Sequence, residues 1–148
     1  MSIARKLHSI GSLKEGRPAS ANSFVKDIGR LERIVEACWD KSTSADPDAW
    51  TAGNGAYGQC AVTALLVQEM VGGKLLRSVA SWEGGSVSHY FNELPDGMVL
   101  DLTRKQFEAD CRFSAPEYRD RSYVLSYPDT ASRYEILKRR FILASGLR

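Results

Sequence analysis

The sequence predicts an α+β protein, and three observations carry that prediction. Two helical stretches, 22–39 and 60–71, flank a polar connection. Three β-type runs then follow one another, separated by Gly84-Gly85 and by Leu94-Pro95-Asp96-Gly97. A further helical stretch opens after Pro128 and closes the chain. Helices and strands are thus segregated rather than alternating, which favours helices packed against a small, mainly antiparallel sheet.

Each element has its own warrant. In the first helix Phe24, Ile28, Leu31, Ile34, Val35 and Cys38 recur at three- and four-residue steps, with Asn22 or Ser23 available as caps. The connection 40–57 is rich in Ser, Asp, Gly and Asn. Its one large apolar residue, Trp50, either roofs a groove or anchors the loop. The second helix carries Ala61, Ala64, Leu65, Val67 and Met70 with very little charge, which predicts deep packing, and Gly72-Gly73 ends it as a left-handed cap. Strands are expected over 74–81, 86–94 and 98–102. A short helix over 103–109 follows, capped by Thr103 with Gln106 three residues on. Cys111 and Phe113 start a loop, and Arg119 and Arg121 flank Asp120 either to grip a carboxylate or to form ion pairs. The final helix turns Tyr134, Leu137, Phe141 and Leu143 inward and carries Lys138-Arg139-Arg140 near its end.

With 148 residues, 43% apolar and 26% charged, the chain is one domain's worth of ordinary globular composition. Residues 22–148 are read as that domain and residues 1–21 as a loosely ordered N-terminal extension. In the extension Ile3, Leu7, Ile10 and Leu13 leave a targeting or membrane-surface helix as the alternative. Charge is uneven: +3 over 1–21, −5 over 22–111 and +4 over 112–148, within a net +2. The acidic middle argues against a nucleic-acid surface there, and no apolar run approaches the ~20 residues of a membrane span. Three cysteines without CxxC spacing form neither a disulfide framework nor a zinc site. They point to a reducing, cytoplasmic setting.

The chemistry concentrates between Gly58 and Thr103. Cys60 falls in the first turn of the second helix, where unpaired backbone N–H groups and the helix dipole favour a thiolate and can hold an oxyanion. Gly58 allows a substrate to approach the backbone closely. His89 and Asp101 lie on successive strands, and the turn between them decides their relation. A two-residue Asp-Gly turn sets them on opposite faces. Pro95 at the second position of a type I turn, with Gly97 left-handed after it, gives a three-residue loop that pairs Glu93 with Val99 and Phe91 with Asp101. His89 and Asp101 then share a face as diagonal neighbours. Thiolate, base and orienter are the parts of a nucleophilic triad.

These residues carry a resemblance. Gly58-Gln59-Cys60 at a helix start, a glycine ending that helix, His89 on one strand and Asp101-Leu102-Thr103 after the next resemble the catalytic core of the papain-like and transglutaminase-like superfamily. More narrowly, Gln59-Cys60-Ala61-Val62-Thr63-Ala64, Ser88-His89-Tyr90, Leu94-Pro95-Asp96-Gly97, Tyr118-Arg119-Asp120-Arg121, Asp129-Thr130 and Arg133-Tyr134 are similar to the YunG family of bacterial proteins. That likeness runs from about Phe24 to Phe141.

The superfamily resemblance implies a papain-like or transglutaminase-like fold with Cys60 as nucleophile, His89 as general base and acid, and Asp101 holding the imidazole. Papain places a glutamine six residues before its cysteine to bind the oxyanion; here that position holds the shorter Asn54, so Gln59 and backbone N–H groups stand as alternatives. The expected function is a thiol-dependent peptidase, amidase, deamidase or acyl transferase. It would act on a peptide, protein or small amide or thioester, with no cofactor and with no nucleic-acid or membrane partner. The other class is a non-catalytic protein-binding module that kept the fold. A metal site built from Cys60, His89 and Asp101 is the third reading.

Overall fold

The computed structural model describes residues 24–147. The N-terminal extension over 1–21 and the expected caps Asn22 and Ser23 lie outside them. Phe24 to Lys26 form one helical turn, and the chain then breaks at Asp27, whose carboxylate accepts from the Arg30 N–H at 2.9 Å and caps helix α1 (Ile28–Cys38). The single helix expected over 22–39 is therefore two pieces, because an aspartate followed by Gly29 makes a better start than an interior turn.

The connection from 40 to 57 contains two short 3-10 turns, Lys41–Thr43 and Ala52–Asn54. Helix α2 (Cys60–Val71) follows, with eight of its twelve residues buried, as its lack of charge predicts. Gly72 ends it with φ 84° and ψ −162°. The positive φ calls for glycine, but the backbone is extended there rather than left-handed helical.

Strands β1 (Lys74–Trp82), β2 (Gly85–Glu93), β3 (Val99–Leu100), β4 (Arg112–Phe113) and β5 (Glu117–Arg119) form one antiparallel sheet in the order β3-β2-β1-β4, with β5 also on β1. β1 and β2 pair along their whole length, from Lys74 with Glu93 to Trp82 with Gly85. The 94–97 turn closes with Gly97 N–H to Leu94 O at 2.8 Å and Leu94 N–H to Met98 O at 2.7 Å, and Gly97 sits at φ 91°. Glu93 pairs with Val99, the register the three-residue loop predicts. β3 stops at Leu100, so Asp101 lies just beyond the strand. The expected helix over 103–109 is a 3-10 turn, Arg104–Gln106, without a Thr103 side-chain cap. Part of the expected loop after Cys111 is instead β4 and β5, which fill the free edge of β1.

Helix α3 (Arg121–Leu125) leads to α4 (Thr130–Ser145), whose Tyr134, Leu137 and Phe141 are buried; Leu143 is exposed, contrary to expectation. The main core lies between α1, α2, α4 and the α2-facing side of the sheet, with Phe24, Leu31, Leu65, Leu66, Leu75 and Phe141 among its fully enclosed side chains. Lys138 and Arg140 lie within α4 rather than in its last turn. They bind across the fold, Lys138 to Glu69 at 2.6 Å and Arg140 to Asp40 at 2.9 Å. With Arg133, which donates to Thr43 O at 3.0 Å, they tie the long connection and α2 to the last helix. Among the described residues no helix is long and apolar enough to cross a membrane.

Candidate active site

Cys60 is the first residue of α2, and Gln59 before it supplies no side-chain cap. The first-turn N–H groups therefore have no side-chain acceptor at the helix end. Gly58 sets the entry angle at φ 73°, and a Cβ there would meet Ser44 Oγ at 2.2 Å and Ala45 N at 2.9 Å. Its bareness thus serves an internal crossing with the 44–46 segment. Gly58 O accepts from Ala45 N–H at 2.8 Å, and Gly58 N–H donates to Gln106 Oε1 at 3.2 Å. The segment entering α2 is thereby stitched to two loops. The Cys60 sulfur lies 3.8 Å from Ser88 O, one residue before His89 on β2.

His89 is completely buried, and its Nε2 sits 2.7 Å from Asp101 Oδ2. Asp101 is held in turn by Thr103 N–H on its Oδ1 at 3.3 Å and by exposed Arg104 at 3.7 Å from Oδ2. Three phenylalanines enclose the imidazole: Phe91 stacks on it at 5.5 Å between centroids, Phe107 meets it edge-on at 5.0 Å, and Phe113 lies 5.7 Å away. Such a box fixes ring orientation and keeps water from the His89–Asp101 pair.

Burial on its own pushes the His89 pKa down, but the Asp101 hydrogen bond, then the Cys60 sulfur, and the negative charge of both raise it to about 9. Nε2 is taken by Asp101, so Nδ1 is the nitrogen turned to Cys60. Nδ1 is buried and makes no hydrogen bond of ordinary geometry, so the thiol acts on it from just outside that geometry. Cys38 differs in kind: it is buried on α1, and burial pushes its thiol up.

Cys60 opens onto a cleft of about 550 Å³. The cleft is lined by Ala45, Asp46, Tyr57 and Gly58, by Trp82, Glu83, Val87 and Ser88, and by Gln106, Phe107, Glu108, Asp110 and Cys111. The structure thus gathers Cys60, His89 and Asp101 at one place. Gln59, Asn54 and Trp50 are not among the cleft's lining residues. Gln59 is fully buried, its amide donating to Asp40 O at 3.0 Å while its Oε1 has no partner. Asn54 donates to Gln106 O at 3.2 Å. The Trp50 indole donates to Gly55 O at 2.9 Å, within its own loop.

Sequence reasoning passed over Trp82 and Phe107. Trp82 is 43% exposed at the end of β1, an unusual place for the largest side chain, and Gly84-Gly85 beside it was the available signal. Phe107 stands in a polar stretch without periodicity, where no sequence pattern assigns it a neighbour. Among the described residues no group of three or more His, Cys, Asp or Glu is arranged to hold a metal ion.

Fold and site together define a mixed α+β protein with a curled antiparallel sheet, flanking helices, and a cleft-lining cysteine beside a buried histidine–aspartate pair. The chain belongs to the YunG family: residues 27–145 match the family described as YunG protein. A relative from Bacillus subtilis (strain 168), named Uncharacterized protein YunG, is 30% identical over 97 residues, covering 64% of this chain and 76% of the relative. No solved structure matches.

Proposed function

We propose that this protein is a thiol-dependent enzyme acting on an amide or thioester through a Cys60-His89-Asp101 triad. The observation that carries the reading is the His89–Asp101 pair, 2.7 Å apart, with the second ring nitrogen of the fully buried imidazole turned to a cysteine that lines a cleft. The order of helix-start cysteine, strand histidine and following aspartate adds the likeness to papain-like and transglutaminase-like enzymes. The three free thiols suit a cytoplasmic setting.

In this reading the Cys60 proton passes to His89 and Sγ attacks the acyl carbon. The first-turn N–H groups of α2 receive the oxyanion, because the Gln59 and Asn54 amides are engaged elsewhere. His89, which keeps a proton up to about pH 9, protonates the leaving amine or thiol as the C–N or C–S bond breaks, leaving a thioester on Cys60. Water or a second amine then attacks that thioester, His89 takes the incoming proton, and Cys60 leaves with its sulfur restored. Hydrolysis, deamidation and acyl transfer share the first half and differ in the second nucleophile.

Electrophilic probes at pH 6.5 with mass mapping test the reading. Cys60 should be modified well ahead of Cys38 and Cys111, and its lead should vanish in His89→Ala. Equal rates at all three thiols overturn the enzyme. One observation favours a second reading, a peptide-binding module: Trp82 and Val87 stay 43% and 45% exposed on the cleft, more apolar surface than the acyl chemistry requires. Peptide binding by a protein with an ordinary Cys60 would select it.

A further inference from the structure

The residues around the Cys60 cleft carry one sign of charge. Asp46, Glu83, Glu108 and Asp110 line it, and the lining contains no lysine, arginine or histidine. This stands in a chain whose net charge is +2. Among the described residues none of the four carboxylates has an ion-pair partner, and Asp46 accepts a hydrogen bond from the Tyr57 hydroxyl at 3.1 Å. Some acids elsewhere are paired, Glu69 with Lys138 and Arg121, Asp40 with Arg140 and Glu36 with Lys105, whereas none of the four at the cleft is. Carboxylates left unpaired around a concave, partly apolar space focus a negative potential into it.

A second feature, the one on which the enzyme reading rests, adjoins the space. His89 is fully buried, and its Nδ1, which makes no hydrogen bond of ordinary geometry, is turned to Cys60, whose side chain lines the cleft. The exposed indole of Trp82, packed against Phe107 at 6.2 Å between centroids, adds a π-face to the wall. Aromatic faces attract ammonium and guanidinium groups.

Resting on the enzyme reading above, we propose that the cleft takes a basic peptide segment, with a lysine or arginine flanking the reacting acyl group. The distribution of charge selects a peptide over a single small cation. Asp46 stands on the wall beside the α2 entry, Glu83 in the β1–β2 turn, and Glu108 and Asp110 on the loop before β4. Carboxylates on three separate segments suit an extended chain crossing the cleft. The long methylenes of lysine or arginine lie along Trp82 and Val87 while the charged end reaches the acidic rim.

Three otherwise identical peptidyl vinyl sulfones, carrying lysine, norleucine or glutamate beside the reactive group, test the proposal on the full-length protein. Sγ adds to the vinyl carbon and the neighbouring carbon takes the proton, so modification is read as a mass gain on Cys60. The lysine probe should react about tenfold or more faster than the glutamate probe, within the range electrostatic focusing supplies. The preference should collapse at about 1 M salt, where the Debye length is about 3 Å. It should collapse too in E83Q/E108Q/D110N, whose substituted side chains are exposed and not needed for packing.

Equal rates, or a preference for the glutamate probe, overturn the basic-peptide proposal. The enzyme reading then survives if Cys60 still outpaces Cys111. If Cys60 reacts only as an ordinary thiol, the enzyme reading fails instead, and binding decides the proposal. Lysine-, norleucine- and glutamate-containing peptide amides are titrated into Cys60→Ala while the Trp82 indole N–H signal is followed by NMR. Tightest binding of the lysine peptide sustains the inference, and equal or reversed order overturns it.

Discussion

Two surface depressions share the β1–α2 layer, and they treat charge in opposite ways. In the groove lined by Gln68, Lys74, Tyr118, Arg119, Arg121 and Tyr123 every arginine is engaged. Arg121 donates to Leu65 O at 3.1 Å and Gln68 Oε1 at 2.9 Å, and pairs with Glu69 at 3.4 Å. Arg119 pairs with Glu117 at 2.6 Å and lies over the Tyr123 ring, and Lys74 lies over Tyr118. In the Cys60 cleft the lining carboxylates have no ion-pair partner among the described residues, and His89 behind Cys60 turns a nitrogen without an ordinary hydrogen bond to its thiol. In the first groove the only lining carboxylate is the exposed Asp120, which has no ion pair among the described residues and stands beside cations that are all engaged. In the cleft four carboxylates stand without any cation among the lining residues, which leaves room for a cationic ligand. The Arg119–Arg121 pair, which the sequence left between substrate grip and ion pairing, is bound up in ion pairs and backbone contacts.

The sharpest way to break the contrast is at His89. His89→Ala should slow Cys60 alkylation at pH 6.5 by about 10²-fold or more, the scale of lost acid–base assistance. Mass-mapped rates of all three cysteines check this. Faster labelling of the buried Cys38 would indicate general misfolding instead. Because the ring fills a phenylalanine box, thermal unfolding is measured alongside.

Asp101→Asn comes next. The amide can favour the wrong tautomer and no longer stabilises the imidazolium; in serine enzymes that defect reaches ~10⁴-fold, and a cysteine enzyme depends on it less. The direct readout is His89 itself, whose pKa should fall from about 9 toward its ordinary value in an NMR titration. The linkage to stability has a definite sign. Because the folded pKa is raised, the stabilisation is fully present below about 6.5, the unfolded value, and is lost as pH rises through about 9. The parent's melting temperature should therefore drop more than that of Asp101→Asn between pH 6.5 and 9. Parallel curves would remove the pair from the stability account.

Arg104→Ala tests the outermost contact. Arg104 is more than half exposed and 3.7 Å from Asp101, so screening leaves the pair worth at most about 1 kcal/mol. Cys60 labelling should change less than about fivefold, the equivalent of that energy. Its guanidinium also lies 3.5 Å over the Phe113 ring, so a small loss of melting temperature is expected as well. Arg121→Ala, in the satisfied groove, should leave Cys60 labelling unchanged. It should cost about 1–3 kcal/mol in denaturant unfolding, because it removes the donor of Gln68 Oε1 and a second hydrogen bond to Leu65 O, which keeps its helical partner. A change in labelling there would mean that the two depressions are coupled.

The sequence by itself determined the local parts, because each depends on neighbours within a few residues. The charge-poor run 60–71 is a buried helix opening at Cys60. The Pro95-Asp96-Gly97 chemistry sets the Glu93–Val99 register, and so the side of the ribbon on which His89 and Asp101 meet. Long amphipathic α4 is legible in the same way, its exposed Leu143 excepted. What only tertiary structure decided is whatever needs a distant partner. β4 and β5 are two and three residues long, too short for any period, and are strands because β1 has an open edge. Phe107 and Phe113 become walls of the His89 box by folding of the 101–119 segment over the sheet. That Gly58 must also be bare to pass Ser44 and Ala45 is seen only in the folded chain. The unpaired acids of the cleft come from three segments, 46, 83 and 108–110, whose convergence no spacing along the chain encodes. Backbone propensity and turn chemistry act over a few bonds and survive in one dimension, whereas packing and electrostatic complementarity exist only once the chain has closed on itself.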